Sequence, residues 1–192
     1  MGHARPWLAV LDFWFRELTP AQWFEGGDDI DKTIRDRFAE RVDQALAGTL
    51  DDWAATPRGR LALVILIDQF TRNVFRGEAR AFSGDDKAQK LVLAGLDLAA
   101  DKALTLSERQ FFYMPLMHAE DLALQDRSVA LFAALEAEVA GIHAFARGHH
   151  NVVARHGRFP MRNAARARAD TEAEKAYLRD GGGYPVDGER LG

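Results

Sequence analysis

The stretch "DDIDKTIRDRFAERVDQALAG", residues 28–48, indicates the fold class through the spacing of its apolar side chains. Five of them recur every four residues: Ile30, Ile34, Phe38, Val42 and Leu46. This is the spacing of one face of an α-helix. The stretch ends on Gly48, and glycine is the usual residue just past the end of a helix. We therefore predict a long amphipathic helix here.

A second stretch, "RLALVILIDQFTRN" at residues 60–73, is apolar on all sides over its first half. Its apolar run could also be a buried strand, but the pattern continues for more than about 12 residues and follows Pro57, which suits the start of a helix. No segment shows the alternation of a strand bounded by turns. We predict an all-α fold of about seven or eight antiparallel helices, with this helix at the centre.

Local signals predict where individual helices begin and where the domain ends. Ser107 followed by Gln110, and Thr171 followed by Glu174, have the spacing of a capping box. The glycines at 181–183 end the last predicted helix. We expect a single compact domain over residues 5–180 and a flexible C-terminal tail over residues 181–192.

Composition excludes several classes of function. The 192 residues include no cysteine, so disulfides, thiolate metal sites and cysteine nucleophiles are ruled out. The most apolar segment has seven residues, whereas a membrane helix needs about 20. There is no glycine-rich phosphate loop and no Gly-x-Ser-x-Gly motif. We expect a cytoplasmic protein without a cofactor, a metal site or a membrane partner.

The formal net charge of −4 conceals a basic segment. Residues 139–169 contain no acidic residue and six arginines. Within them "GRFPMRN", residues 157–163, breaks the helical pattern at Pro160. A helix start flanked by arginines is a natural anion site, so Arg158, Arg162 and Asn163 are predicted ligand-binding residues. The alternative is that these arginines pair inside the fold with Asp68, Glu120 and Asp121. Overall acidity and the absence of lysine in this segment argue against nucleic-acid binding.

The motif "DQFTRN", residues 68–73, places four polar side chains near the end of the most buried helix. Asp68 and Arg72 are four residues apart, as are Gln69 and Asn73, so each pair shares a helical face. They could form an internal salt bridge and a helix cap, or they could line the floor of a polar pocket. We include all four among the predicted ligand-binding residues.

The motif "MPLMHAED", residues 114–121, supplies the candidates for proton transfer. His118 lies close in sequence to Glu120 and Asp121, and a histidine beside a carboxylate can act as a general base. The same residues could instead form a structural hydrogen bond. The second histidine of a zinc-binding helix is missing. His118 and Glu120 are therefore catalytic candidates only.

Eight aromatic residues lie within the first 53 positions, and most are expected in the core. Trp23 and Phe24 follow Thr19-Pro20 in a turn rather than in the middle of a helix. These two side chains are the ones that we expect to reach a surface.

Several blocks together resemble the family called domain of unknown function 924: "VLDFWF" at 10–15, "DQFTRN", "MPLMHAEDLALQ" at 114–125 and "RHGRFPMRNA" at 155–164. The resemblance covers about residues 7–180. It implies a compact all-α protein of the tetratricopeptide-repeat-like superfamily and implies no particular reaction. The family pattern has proline where Thr71 stands and histidine where Met161 stands. It also has Leu-Gly-Arg where this chain has Arg166-Ala167-Arg168.

These observations favour a protein that binds a small anionic ligand, a phosphate or a carboxylate. The predicted site is a cleft lined by Arg, Asn, His and Glu, where residues 68–73, 114–121 and 157–163 converge. Catalysis and the oligomeric state stay open. The alternative is a helical scaffold that binds a protein partner and whose polar networks are purely structural.

Overall fold

A computed structural model of the chain describes residues 5–136 and 142–184. Within these ranges the regular structure is helical and no strand is present, so the predicted all-α class is confirmed. The contacts divide the chain into two compact units, Met1–Phe112 and Tyr113–Gly192. The predicted domain limits at residues 5 and 180 stay a prediction.

The first unit contains most of the helices. Its α-helices are α1 (Leu8–Asp12), α2 (Pro20–Glu25), α3 (Asp28–Ala47), α4 (Pro57–Val64), α5 (Thr71–Val74), α6 (Asp85–Asp97) and the first half of α7 (Leu106–Met117). Short 3-10 helices cover Asp51–Ala55, Ala79–Phe82 and Ala100–Ala103. Two π-helical segments extend α-helices: Phe13–Glu17 follows α1, and Ile65–Phe70 joins α4 to α5.

Helix α3 confirms the prediction made from its apolar spacing. Ile34, Phe38 and Val42 are buried along one face, against α5 and the π-helical segment before it. The helix ends at Gly48, whose φ of 86° lies in the left-handed region that glycine adopts without strain.

The predicted central helix is also the most buried one. Every residue from 61 to 67 is fully buried. Its start is fixed by Pro57 at the first position and by Thr56, whose hydroxyl accepts a hydrogen bond of 3.1 Å from the backbone N–H of Gly59. The helix then continues as the π-helical segment Ile65–Phe70, which leads directly into α5.

The second unit contains the rest of α7 and three further α-helices: α8 (Leu122–Leu135), α9 (Ile142–His156) and α10 (Glu172–Arg179). A 3-10 turn covers Pro160–Arg162. Helix α8 packs along α9. A small apolar core joins α9 to α10 through Val152, Val153, Phe159 and Tyr177.

The predicted capping box is present at the start of α10, but at the start of α7 a different pair of residues forms the box. Thr171 and Glu174 form the predicted capping box at the start of α10. At α7 the predicted Ser107–Gln110 box is wrong. The box is formed by Thr105 and Glu108, where the Glu108 carboxylate accepts from the Thr105 backbone N–H at 2.9 Å. Both pairs have the same spacing, so the sequence spacing alone could not separate them.

The first four residues of the predicted tail, 181–184, pack against α9 and α10 within the second unit. The Tyr184 ring stacks on the His149 ring with 3.6 Å between centroids. The Tyr177 hydroxyl donates to the Gly183 carbonyl at 2.5 Å. Residues 185–192 lie outside the described residues. In the described ranges every helix is too short or too polar to cross a bilayer.

Candidate functional site

The first unit contains a cavity of about 170 Å³ with two different walls. The polar wall consists of Gln69, Arg72, Asn73 and Arg76, and the aromatic wall consists of Trp14, Trp23 and Phe24. Three of the four residues predicted from "DQFTRN" therefore line one hollow. Trp23 and Phe24 line it too, and Phe24 has 63% of its surface exposed. The two aromatic residues expected at a surface are thus part of the cavity.

One short stretch of chain supplies the whole polar wall. Its four residues lie between Gln69 and Arg76, in and on either side of α5. Gln69 belongs to the π-helical segment, Arg72 and Asn73 belong to α5, and Arg76 lies just beyond α5. Arg76 was not among the predicted residues, because it lies three residues beyond Asn73, where the predicted helix ended.

Asp31 of α3 fixes two residues of the polar wall, Asn73 and Arg76, by accepting hydrogen bonds from both. Arg76 donates to its carboxylate through Nε and through Nη2, the latter at 2.6 Å, and Asn73 Nδ2 donates at 2.8 Å. The hydrogen bond from Arg76 lowers the pKa of Asp31, burial opposes this, and Asn73 adds to the lowering. Among the described residues no acceptor lies within hydrogen-bonding distance of Arg76 Nη1, and 55% of the arginine side chain is exposed.

Arg72 is more deeply engaged than Arg76. Its Nη2 lies 2.7 Å from Asp85 Oδ1 and 3.6 Å from Asp68 Oδ1, and its Nη1 donates to the Ala81 carbonyl. The Asp68–Arg72 pair predicted from the i, i+4 spacing is therefore present. Asp68 is fully buried and does not line the cavity. The side chain of Asn73 bonds to Asp31 rather than to Gln69, because α3 packs against this face.

The aromatic wall is fixed by its own packing. Trp14, in the π-helical segment after α1, is 3% exposed, and its ring meets that of Phe111 edge-on at 5.3 Å. The Trp23 ring meets Phe111 in the same way at 5.0 Å, and its indole Nε1 donates to the Trp14 carbonyl at 2.7 Å. The Nε1 donor of Trp14 is buried and finds no acceptor in the part of the chain that the structure describes.

A glycine at the end of α2 allows the two walls to approach each other. Gly26 has φ 63° and ψ −152°, a combination that is essentially restricted to glycine. A Cβ atom there would lie 3.7 Å from Nη2 of Arg76. The chain can therefore turn from α2 into α3 directly beside this guanidinium.

The two other predicted segments come together within the second unit. The backbone N–H of Phe159 donates to Glu120 Oε1 at 3.2 Å, and Arg162 Nη1 donates to the His118 carbonyl at 3.0 Å. Residues 114–121 and 157–163 are thus neighbours, as expected. That residues 68–73, which belong to the first unit, join them stays a prediction.

The predicted anion-binding side chains of the second unit are held by groups of that same unit. Arg158 forms a two-pronged ion pair with Glu174, at 2.6 and 2.8 Å. The Arg158 guanidinium lowers the pKa of Glu174 to about 2. Asn163 is buried and donates to Asp170 Oδ1 at 2.6 Å. These contacts agree with the alternative that the arginines pair inside the fold. The partner of Arg158 is Glu174, which was not among the expected carboxylates.

Glu120 has a partner that the sequence analysis missed. Arg168 Nη2 donates to its Oε1 at 2.9 Å, and Arg168 Nη1 pairs with its Oε2 at 2.5 Å. Burial opposes ionisation of Glu120, but the hydrogen bonds from Arg168 and from the Phe159 N–H outweigh it and lower its pKa. Asp121 is occupied as well, because its carboxylate caps α8 through the Leu124 N–H. The proposed proton-transfer role of His118 and Glu120 stays a prediction.

A turn of left-handed backbone positions Arg168. Ala167 has φ 51°, and its N–H donates to the Ala164 carbonyl at 3.2 Å. The N–H of Arg168 donates to the Asn163 carbonyl at 2.9 Å. This pair of bonds is a Schellman motif, which usually has glycine at the left-handed position. The family resemblance implies glycine where Ala167 stands.

His149 is buried, which the sequence did not predict. Its ring lies 6.0 Å from the His118 ring, and its Nδ1–H donates to the Phe145 carbonyl at 2.8 Å. Burial and the neighbouring His118 lower the pKa of His149 to about 3. The residues that the structure describes contain no group of three or more His, Asp or Glu side chains arranged to hold a metal ion.

Comparison with known proteins defines the class first. A family model described as a bacterial protein of unknown function, DUF924, matches residues 10–182. The chain belongs to this family, which confirms the resemblance seen in the sequence blocks. Its placement in the tetratricopeptide-repeat-like superfamily stays a prediction.

A solved structure of a protein of unknown function from Agrobacterium tumefaciens is similar to this chain over most of its length. The two are 34% identical, and the match covers 91% of this chain and 97% of that one, with a TM-score of 0.83. A comparison with curated proteins gives no match.

Proposed function

We propose that the cavity of the first unit binds a small anionic ligand through its polar wall. The observation that carries the proposal is the stretch from Gln69 to Arg76, which brings two guanidinium groups and two amides to one hollow of about 170 Å³. Guanidinium and amide N–H groups are the donors that carboxylates and phosphates require.

Arg76 is the main proposed contact. Asp31 fixes its guanidinium through Nε and Nη2, so the orientation of the group is set before a ligand arrives. Its Nη1 hydrogens have no acceptor among the described residues. Binding an anion there would immobilise little additional side-chain freedom, which favours affinity.

Arg72 contributes charge more than hydrogen bonds. Two of its nitrogens are occupied by Asp85, Asp68 and the Ala81 carbonyl. The group is 21% exposed, so its interaction with an anion in the cavity would be screened less than that of a surface arginine. Asn73 completes the proposed contacts beside it.

The predicted members of the second unit have no part in this proposal. Arg158, Arg162 and Asn163 each donate to groups of their own unit. Those closed contacts support the alternative for this part of the chain, namely a polar network that stabilises a helical interaction scaffold. The two ideas concern different units and can be tested separately.

Substitution of Arg76 tests the anion site. We expect phosphate or a carboxylate to raise the melting temperature of the wild-type protein above that of a sodium chloride control at equal ionic strength. Arg76→Gln should weaken this effect by about tenfold in ligand concentration, because a charged hydrogen bond contributes about 1.5–3 kcal/mol. Arg80→Gln is the matched control, since Arg80 also pairs with one aspartate, Asp43, but does not line the cavity.

Two outcomes would contradict the proposal. One is that no anion stabilises the wild-type protein beyond the salt control. The other is that Arg76→Gln and Arg80→Gln change the anion effect equally, which would indicate general charge screening rather than a site.

A further inference from the structure

We propose that the ligand is a monocarboxylate with a single aromatic or flat apolar group, whose ring lies against Trp14, Trp23 and Phe24 while its carboxylate meets Arg76. This inference rests on the proposed anion site and specifies its ligand class. The cavity has a rigid aromatic side facing a basic side, and such a pair of walls suits a molecule with one apolar end and one anionic end.

The aromatic wall is organised before a ligand binds. Trp23 is fixed by its hydrogen bond to the Trp14 carbonyl and by its edge contact with Phe111. The Phe24 ring lies 6.4 Å from the Trp23 ring, nearly perpendicular to it, and leaves 63% of its surface to solvent. An aromatic group on the ligand would cover apolar surface that water now contacts, with edge-to-face geometry available from neighbouring rings.

The charges around the cavity suit one negative charge better than two. Glu25 lines the cavity and has no ion pair among the described residues. The first turn of α3, directly after Gly26 and Gly27, contains three aspartates: Asp28, Asp29 and Asp31. These carboxylates already occupy the positive end of the helix, where a phosphate would otherwise be stabilised. A dianion would therefore be repelled where a monocarboxylate can still reach Arg76.

The size of the cavity agrees with one ring and a short chain. Its volume of about 170 Å³ lies below the roughly 300–1,000 Å³ of pockets for drug-sized ligands.

Isothermal titration with four small probes tests the inference: 3-phenylpropionate, propionate, 2-phenylethylamine and inorganic phosphate. We expect 3-phenylpropionate to bind at least about tenfold more tightly than the other three, since ring burial and the carboxylate contact must both be present. Phe24→Ser should lower its affinity several-fold while leaving that of propionate unchanged. Phe145→Ser, which alters an equally exposed phenylalanine of the second unit, should change neither.

The remaining outcomes separate the two proposals. If phosphate or propionate binds as tightly as 3-phenylpropionate and Arg76→Gln weakens all three, the ligand class is wrong and the anion site stands. If 2-phenylethylamine binds as tightly as 3-phenylpropionate, or if no probe binds, both the ligand class and the anion site are wrong. Because Phe24 is exposed, the serine variant is expected to fold.

Discussion

At the scale of one residue, Ala167 adopts a backbone conformation that favours glycine, the residue that the family resemblance implies at this position. The residue adopts φ 51° within the Schellman turn that directs Arg168 to Glu120. A side chain in the left-handed conformation is destabilising by roughly 1–2 kcal/mol, and glycine avoids this. The family resemblance implies glycine at this position, and the backbone angle shows why alanine is energetically unfavourable there.

We therefore expect Ala167→Gly to stabilise the protein. The gain should be about 0.5–1 kcal/mol, because the relief of strain exceeds the additional chain entropy that glycine has when unfolded. Urea unfolding measures it. Ala176→Gly, in the middle of α10, is the control and should destabilise by about 1 kcal/mol, as glycine does inside a helix. A loss of stability in Ala167→Gly would show that the turn is not strained.

His149 predicts a pH dependence of stability. Its pKa is lowered from 6.5 to about 3 in the folded chain, so below pH 6.5 the unfolded chain binds the proton more readily. The stabilisation is complete above pH 6.5 and declines as the pH falls toward 3. We expect the free energy of unfolding to fall by about 2 kcal/mol between pH 7 and pH 5 through this group.

The variant His149→Phe isolates this contribution. It keeps a ring for Tyr184 to stack on but cannot take up a proton, so its unfolding free energy should change less over the same interval. The Glu174 carboxylate does not interfere, because its pKa of about 2 against an ordinary 4.5 affects stability only below about pH 4.5. Equal pH slopes in both proteins would mean that His149 is not buried in its neutral form.

At the scale of elements, the sequence predicted helices well and their irregularities poorly. The four-residue apolar spacing gave α3, and the i, i+4 spacing gave the Asp68–Arg72 pair. The π-helical segments left no such trace, since an additional residue per turn changes neither composition nor the apolar run. Yet one of them places Trp14 and the other Gln69 at the cavity.

Contacts between distant elements set the other limit. Arg76 and Asp31 are 45 residues apart, and Arg168 and Glu120 are 48 apart. Charge patterning along a single helix identifies neither pair, because the partner is decided by which helices pack together. The six arginines of residues 139–169 therefore suggested an anion site, while the structure gives Arg158 and Arg168 carboxylates of the same unit.

The segment that ends at Tyr184 gives a prediction at this scale. It crosses α9 at Gly148, where a Cβ atom would lie 2.7 Å from the Tyr184 carbonyl oxygen. We expect Gly148→Ala to destabilise the full chain by about 1–3 kcal/mol through overpacking. In a chain that ends at Gly182 the same change should be stabilising by up to about 1 kcal/mol, because alanine favours a helix. Unfolding curves of the four proteins measure both, and the same sign in both backgrounds would contradict this docking.

At the scale of the whole molecule, the two units have different chemical characters. The first contains a cavity whose polar wall includes Arg76. The Nη1 of this arginine has no acceptor among the described residues. In the second, Arg158, Asn163, Arg168, Glu120 and Glu174 are matched with one another or with neighbouring groups. From the sequence, residues of both units were predicted to line a single cleft. We propose a ligand site in the first unit and a structural role for the polar contacts of the second.

The most direct test of the ligand site follows the indole N–H signals of the four tryptophans by nuclear magnetic resonance. The protein is titrated with 3-phenylpropionate and, separately, with phosphate, and each signal is assigned from single Trp→Phe variants. We predict that at least one of these anions shifts the signals of Trp14 and Trp23, which line the cavity, and leaves those of Trp7 and Trp53 in place. If neither anion moves the Trp14 and Trp23 signals, or if all four signals shift equally, the cavity is not an anion site.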